Sequence, residues 1–489
     1  MAVRSIRRPK DRVSDQSQNM SSLTLSIGRE RQLAVVAGMF LLFLMSSRVW
    51  WLPVHAPLNV NEGWNATPAV RAVGEGTLYP SAAALTANNY PPLSFYVVGF
   101  FGRVVGDNVV AGRILALFAQ FSTGVAVCLI VGRLVNGTRS VVISGMLFAG
   151  FGVTLLRFYF GINDPQWLGE AAMSWALLFV IPRRVGDAPS IVCILVAVGL
   201  TIAGGLIKHN LVAMPLATTV WLWLVYRRAF YVWALAGIVM AAVVSGLLLA
   251  AWGPTVFVDV LSPARSYSFA RMVAKGGPLL LAMLPSIIAC RALHPAWRED
   301  RRLLLPALLL AFAVPLGILQ RAGVGVDVNA FFGAVVAVSI AVPVALACRH
   351  SATLAWIVVV TAPIVCLIPV AFSKSVSEFV GRDAAVQRTS SFVNSIATAP
   401  GPVACDDQAI CYWAARESAL DFFSVNQRLL KGRAAALRRA LERGHFAMIY
   451  MRSDNPGWNQ NLLIPEIKRR YRVIYRSGGS ELLIPNTQE

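Results

Sequence analysis

Long apolar runs separated by short polar turns dominate most of the chain. A helix crosses the hydrocarbon core of a bilayer in about 20 residues, with a usable range of roughly 17 to 25. Runs at or near that length cover residues 33–52, 109–131, 141–156, 167–181, 191–207, 211–226, 231–251, 279–292, 303–319, 330–347 and 354–372. The pattern predicts a polytopic α-helical membrane protein of about eleven spans, the shorter ones crossing only with help from flanking residues. Another apolar run, 92–105, is interrupted by Gly99, Gly102 and Arg103 and reads as a re-entrant or interfacial segment.

Beyond Phe372 the runs shorten and the charge rises. Residues 402–405 and 447–451 read as buried strands, 428–444 as an amphipathic helix, and 472–475 with 482–484 as a final hairpin. The expected organisation is a basic tail over 1–31, a membrane domain over 32–372 with a large outward loop at 53–108, and a soluble α/β domain over 373–489. About 100 residues suffice for a small core of its own.

Composition agrees with this reading. Of 489 residues 56% are hydrophobic and 14% charged, with mean hydropathy +0.61. Ordinary soluble domains carry about 25% charge. A soluble enzyme, a disordered chain and a fibrous protein are excluded. The net charge of +20, from 44 Lys+Arg against 24 Asp+Glu, would point to nucleic acid if it formed one polar face. Instead the basic residues sit in clusters between apolar runs, so no nucleic-acid partner is expected. Such clusters mark cytoplasmic turns. Arg4, Arg7, Arg8, Lys10, Arg12, Arg29 and Arg31 precede the first run and hold the N-terminus inside, and no cleavable signal peptide is expected there. Arg133 with Arg139, Arg183-Arg184, Arg227-Arg228, Arg291 to Arg302, and Arg349-His350 mark the later inside turns. The opposite parity turns residues 53–108, 157–166, 208–210, 252–278, 320–329 and the tail outward, provided 92–105 does not cross.

The outward loops hold the unusual polar residues. The first reads Asn61-Glu62-Gly63-Trp64-Asn65 and later Asn88-Asn89-Tyr90-Pro91-Pro92-Leu93. Glu62 is a candidate general base, with a solvated loop acid as the ordinary alternative. Asp164 stands directly before a span, where a carboxylate is costly unless paired or hydrated; capping the next helix would also explain it. Lys208-His209-Asn210 breaks a long apolar stretch and suits an anionic lipid phosphate, or a lysine snorkelling at a turn. Arg265 and Arg271, beside Asp259, Tyr267 and Lys275, offer a second cationic group, and Asp327 with Asn329 a sugar contact or a helix cap.

The order of these motifs resembles the GT-C glycosyltransferases, whose members include the protein O-mannosyltransferases and the lipid A aminoarabinose transferases. The resemblance covers roughly residues 30–370. It rests on an Asn-Glu motif after the first span, a Tyr-Pro-Pro segment, an Asp in the next outward loop, a cationic break and a soluble C-terminal domain. It implies inverting transfer of a sugar from a polyprenyl-phosphate carrier to a lipid, glycan or protein of the cell envelope, at the outer face of a bacterial cytoplasmic membrane. In that family the first Asp of an Asp-Glu pair is the usual base. Asn61 stands at that place here, so Glu62 or Asp164 takes the role, or the register slips by one. Asn61, Trp64, Asn65, Tyr90, Lys208, His209, Asn210, Arg265, Arg271, Asp327 and Asn329 would then line the substrate site. No cofactor is required by this chemistry; an ion shared by Glu62 and Asp164 is its metal-dependent variant.

Rival classes fit less well. A transporter or flippase would usually show internal repeats or paired broken helices, and none is evident. An O-antigen ligase or polymerase typically carries one very large central outward loop. A scaffold gives no reason for acidic and basic residues to converge. Of the seven cysteines, Cys405 and Cys411 lie in the exported tail at a spacing that can close a disulfide loop, while the other five sit in or beside apolar runs.

Overall fold

The computed structural model describes residue 32 and residues 35–486 apart from 75, 82–83, 262–264, 350–353, 434 and 453–461. The basic tail over 1–31 and His350 fall outside the described residues. The chain divides into a unit ending at Ser46 and a second from Ser47 onward. The boundary lies within the first helix, α1 (Val35–Trp51).

The helices that follow are α2 (Asn61–Val73), α3 (Leu93–Val105), α4 (Asn108–Leu134), α5 (Thr138–Val153), α6 (Gln166–Val180), α7 (Ile191–Ile207), α8 (Ala213–Val225), α9 (Arg227–Trp252), α10 (Thr255–Leu261), α11 (Phe269–Ala289), α12 (Leu293–Ala296), α13 (Leu304–Gln320), α14 (Phe332–Ala347), α15 (Leu354–Val380) and α16 (Arg382–Ala397). Six stretches among the described residues are long and apolar enough to cross a membrane: Asn108–Leu134, Arg227–Trp252, Phe269–Ala296, Arg301–Gln320, Val328–Ala347 and Ala355–Val380. Five shorter apolar helices accompany them, α3 among them. At 1.5 Å per residue the 13 residues of α3 reach only about 20 Å, less than a bilayer core of about 30 Å.

Burial separates these helices by role. In α14 nearly every side chain from Phe332 to Leu346 is buried, which makes it the central element. Helix α9 is the opposite case. Leu235, Ile238, Val239, Val243 and Leu247 all point away from the protein. An apolar surface of that extent is stable against lipid rather than water, so the chain is a polytopic membrane protein.

Two polar devices fix the membrane-domain helices that carry the site. Asp107 caps α4 by accepting hydrogen bonds from the Val109 and Val110 amides, at 2.6 and 3.0 Å. Helix α15 runs beyond Phe372 to Val380, because the segment from Ser373 contains no helix breaker before Gly381. That extension carries Glu378, whose carboxylate accepts from Arg157 at 2.7 Å and lies 3.1 Å from Arg48. The loop between α5 and α6 is held there.

After α16 the chain forms a four-stranded sheet with strand order β1-β2-β4-β3. Strand β1 (Val403–Cys405) pairs parallel with β2 (Met448–Arg452); β4 (Ser480–Pro485) pairs antiparallel with β2 and with β3 (Tyr471–Ser477). Helices α17 (Gln408–Trp413), α18 (Phe422–Leu430), α19 (Ala435–Glu442) and α20 (Leu463–Lys468) accompany it. The core includes Phe422, Val425, Leu437, Leu441, Ile449 and Leu483. One element departs from the expected pattern. The helix expected over 428–444 is two helices, because Gly432 takes a left-handed backbone at φ 73° and ends α18. Asp421 caps its other end.

Cys405 and Cys411 are joined by a disulfide. It closes the segment that carries α17, and α17 packs against α2. Contact there is so close that a Cβ on Gly63 would overlap the Ala409 backbone nitrogen. Glycine at position 63 is what lets the C-terminal segment sit against the helix that carries Asn61 and Glu62.

Candidate active site

The site begins with a salt bridge that no polar loop predicted. Arg113 lies in α4 within the apolar run 109–131, and neither its side chain nor that of Glu62 has exposed surface. Its Nε donates to Glu62 Oε1 at 2.6 Å and Nη2 to Oε2 at 2.7 Å. The remaining guanidinium hydrogens reach the carbonyls of Trp51, Val54 and Ala56 at 3.0, 2.7 and 2.8 Å. Glu62 also accepts from the Leu58 and Asn163 amides, at 2.7 and 3.3 Å. Both carboxylate oxygens are therefore engaged from two sides each. Removing one partner of a buried pair typically costs 3–5 kcal/mol, since the other charge is left without compensation. Glu62 and Arg113 tie the end of α1, the start of α2, α4 and the loop before α6 together.

Asn65 and Asn163 extend that brace. Asn65 Nδ2 donates to the Asn61 and Asn163 carbonyls at 2.8 and 2.9 Å, and Asn163 Nδ2 to the Glu62 carbonyl at 3.1 Å.

A second group gathers around Asp164. Its Oδ1 accepts from the Gln166 amide at 2.9 Å and lies 3.4 Å from Lys208 Nζ; its Oδ2 accepts from Asn61 Nδ2 at 3.4 Å. Asn61 Nδ2 also donates to the Tyr159 hydroxyl at 3.2 Å. Lys208 Nζ stands 4.7 Å from the Tyr90 ring centre, a cation–π distance. Tyr90 meets Trp64 edge-on at 4.8 Å, and Trp64 Nε1 donates to Asp421 Oδ2 at 3.1 Å. Burial opposes the charge of Lys208, but Asp164 and Tyr90 outweigh it and hold the ammonium's pKa above its ordinary value. The structure thus joins Asn61, Tyr90, Asp164 and Lys208, singled out in three separate outward loops. Asp164 is both paired with Lys208 and tied to the first residue of α6 through the Gln166 amide.

The cationic loops converge nearby. Burial, then Lys208 and Arg265, push His209 down to about 4, so its imidazole is neutral at pH 7. Tyr267 bridges to Gly323, and the Val324 amide donates to the Ser266 carbonyl at 2.9 Å. Arg271 Nε donates to the Gly323 carbonyl at 3.2 Å. Asp327 pairs with Arg321 at 3.1 Å, and Asn329 offers its carbonyl to Gln166 Nε2 at 2.6 Å. Arg265 lies over the Phe423 ring at 5.9 Å.

Sequence reading missed Arg113, Tyr159, Asn163, Gln166 and Glu170. Two had a signal: Arg113 and Glu170 are charges inside apolar runs, which are rare without a function or a partner. Tyr159, Asn163 and Gln166 had none. Among the described residues no three His, Cys, Asp or Glu side chains gather as a metal site.

No protein-family model matches the sequence, and no curated protein matches it. Solved structures do. ArnT from Cupriavidus metallidurans in the apo state aligns at 15% identity and TM-score 0.57, over 92% of this chain and 98% of that one. The same protein bound to undecaprenyl phosphate aligns at 15% identity and TM-score 0.57, over 91% and 98%. The archaeal oligosaccharyltransferase AglB from Archaeoglobus fulgidus, in complex with an inhibitory peptide and a dolichol-phosphate, aligns at 12% identity and TM-score 0.48, over 92% of this chain and 74% of that one. The ArnT likeness extends over almost the full length of both chains, and the chain has the GT-C fold.

Proposed function

We propose that the protein is an inverting glycosyltransferase that moves a sugar from a polyprenyl-phosphate carrier to a hydroxyl of an envelope lipid, glycan or protein. The observation that carries this reading is the buried Asp164–Lys208 pair beside Asn61 and Tyr90, with Arg265 close by, in a chain of GT-C fold. A base and a cation for phosphate stand side by side.

In the proposed reaction Asp164 accepts the proton of the acceptor hydroxyl. The freed oxygen pair forms a bond to the anomeric carbon while the carbon–oxygen bond to the phosphate breaks, and the phosphate leaves with that electron pair. Attack opposite the leaving group inverts the anomeric centre. Lys208, Arg265 and Arg271 stabilise the charge that builds on the phosphate. His209, neutral at pH 7, contributes a hydrogen bond rather than charge. Glu62 serves as scaffold, because Arg113 already occupies both of its oxygens. This chemistry requires no cofactor. The site and the C-terminal α/β segment face the periplasmic side of a bacterial cytoplasmic membrane, and Trp64 and Asp421 join the two.

The test is direct. Purified protein in detergent or nanodiscs, given undecaprenyl phosphate carrying a labelled sugar and an envelope extract, should release undecaprenyl phosphate and label an envelope component. Mass spectrometry of envelope glycolipids and glycans with and without the protein then identifies the product. Failure to label any component with any sugar tested would refute the reading.

A further inference from the structure

We propose that the C-terminal α/β segment is coupled to the donor-phosphate site through the contacts Asp421–Trp64–Tyr90–Lys208, with Asp421 as a positioning residue for the Lys208 ammonium. This rests on the donor reading above and deepens it, by giving the phosphate site a control from outside the membrane domain.

Lys208 is the group that needs positioning. Its side chain is 3% exposed, and its carboxylate partner Asp164 stands 3.4 Å away, longer than the usual 2.7–2.9 Å of a charge-assisted hydrogen bond. The Tyr90 ring supplies a second contact, with Nζ 4.7 Å from its centroid. A cation is drawn to the face of an aromatic ring, so the plane of Tyr90 decides where Nζ rests.

Tyr90 is aimed in turn by Trp64. The two rings meet edge-on, with centroids 4.8 Å apart and planes at 74°, a geometry lost when either ring rotates. Trp64 belongs to α2, one turn after Asn61. Its Nε1 donates to Asp421 Oδ2 at 3.1 Å, which fixes the orientation of the indole.

Asp421 does more than cap α18. The cap uses Oδ1, which accepts from the Ser424 amide at 3.0 Å. Oδ2 is aimed at Trp64 and is steadied by the Ser424 hydroxyl at 3.1 Å. Asp421 is 2% exposed, and its amide donates to the Leu85 carbonyl at 2.8 Å. The rest of α18 seats on the other loops of the site. Gln427 Oε1 accepts from the Ser266 amide at 2.9 Å, Arg265 lies over the Phe423 ring, and a Cβ on Gly325 would come within 2.5 Å of that ring. Helix α18 therefore reaches α2, the Arg265 loop and Gly325, and Asp421 is its contact on the side of Lys208. Coupling of this kind is reciprocal: if docked α18 raises the affinity for phosphate, bound phosphate holds α18 in place by the same factor.

The experiment measures binding of undecaprenyl phosphate to the full-length protein in detergent. It compares wild type, Asp421→Asn, Trp64→Phe and Lys208→Met, and the two double variants that add Lys208→Met. Asp421→Asn keeps an oxygen for the cap but turns an N–H toward Trp64 Nε1, and Trp64→Phe keeps an aromatic ring beside Tyr90 but removes the donor. Lys208→Met should weaken binding on the order of tenfold. Asp421→Asn and Trp64→Phe should each weaken it about threefold, and by less than about 1.5-fold in the Lys208→Met background. A merely structural role for Asp421 lowers Tm without this dependence on Lys208. Undecaprenyl phosphate should also slow proteolysis of the C-terminal segment in wild type, and slow it less in Asp421→Asn. Wild-type affinity in either single variant, or the same loss with and without Lys208→Met, overturns the coupling while leaving the donor reading intact. Undiminished binding by Lys208→Met overturns the phosphate site of the donor reading and this inference together. If Asp421→Asn fails to fold, Trp64→Phe carries the same comparison, because it leaves the cap untouched.

Discussion

Glu62 and Arg113 face each other through two hydrogen bonds of 2.6 and 2.7 Å, and neither side chain has any exposed surface. A carboxylate so fully engaged is a brace between four segments of chain. Substituting Glu62→Gln should therefore act on stability before it acts on chemistry, at a cost of about 3–5 kcal/mol. Thermal unfolding in detergent reads this as a large fall in Tm. The double variant Glu62→Leu with Arg113→Met leaves no charge unpaired but strands the carbonyls and amides that the two side chains satisfied, so its loss should be smaller than the sum of the two single-variant losses; strictly additive losses would contradict the pairing.

Gly63 gives a second structural prediction. A methyl group there overlaps the Ala409 backbone, so Gly63→Ala must separate α2 from α17. Faster proteolysis of the C-terminal segment and loss of transfer activity should appear together. Unchanged proteolysis would mean that the contact is not maintained in solution.

The disulfide bears on the same contact. Cys405 and Cys411 enclose the start of α17, and losing a native disulfide in a small domain typically costs about 2–5 kcal/mol. Cys411→Ser should lower the unfolding temperature of the C-terminal segment, and reductant should reproduce the effect in wild type only. Free thiols at both positions in native protein would contradict the bond.

Asp407 supplies a pH dependence. Burial, against the opposing influence of Arg452, pushes its carboxyl from 3.8 up to about 7. The unfolded chain releases this proton near pH 4 while the folded chain holds it to about pH 7. Within that window the folded state binds more protons, so its stability falls as pH rises and levels off above 7. Asp407→Asn keeps the side-chain oxygen that caps α17 and removes the titration. Its unfolding temperature should vary less between pH 4 and 7 than that of wild type; parallel curves would contradict the assignment.

The membrane architecture was legible because lipid imposes it. Apolar runs must be helical, and α4, α9, α13, α14 and α15 fall where the runs lie. Ends were harder. The extension of α15 to Val380 depends on polar residues that are ordinary helix formers, and the break at Gly432 depends on one backbone angle. The loop residues of the site were legible one at a time as charges in costly places. Their partnerships were not. That Lys208 meets Asp164, and that Glu62 meets Arg113, follows from how α2, α4, α6 and α7 pack, which spacing along the chain does not encode.

In the proposed reaction Asp164 takes the proton of the acceptor. Single-turnover transfer from a sugar-bearing undecaprenyl phosphate tests it most directly, with wild type and Asp164→Asn compared at equal folded concentration and saturating donor. The rate should be lower by about 10²- to 10⁴-fold in the variant, with donor affinity changed far less. A variant that transfers at the wild-type rate would contradict it.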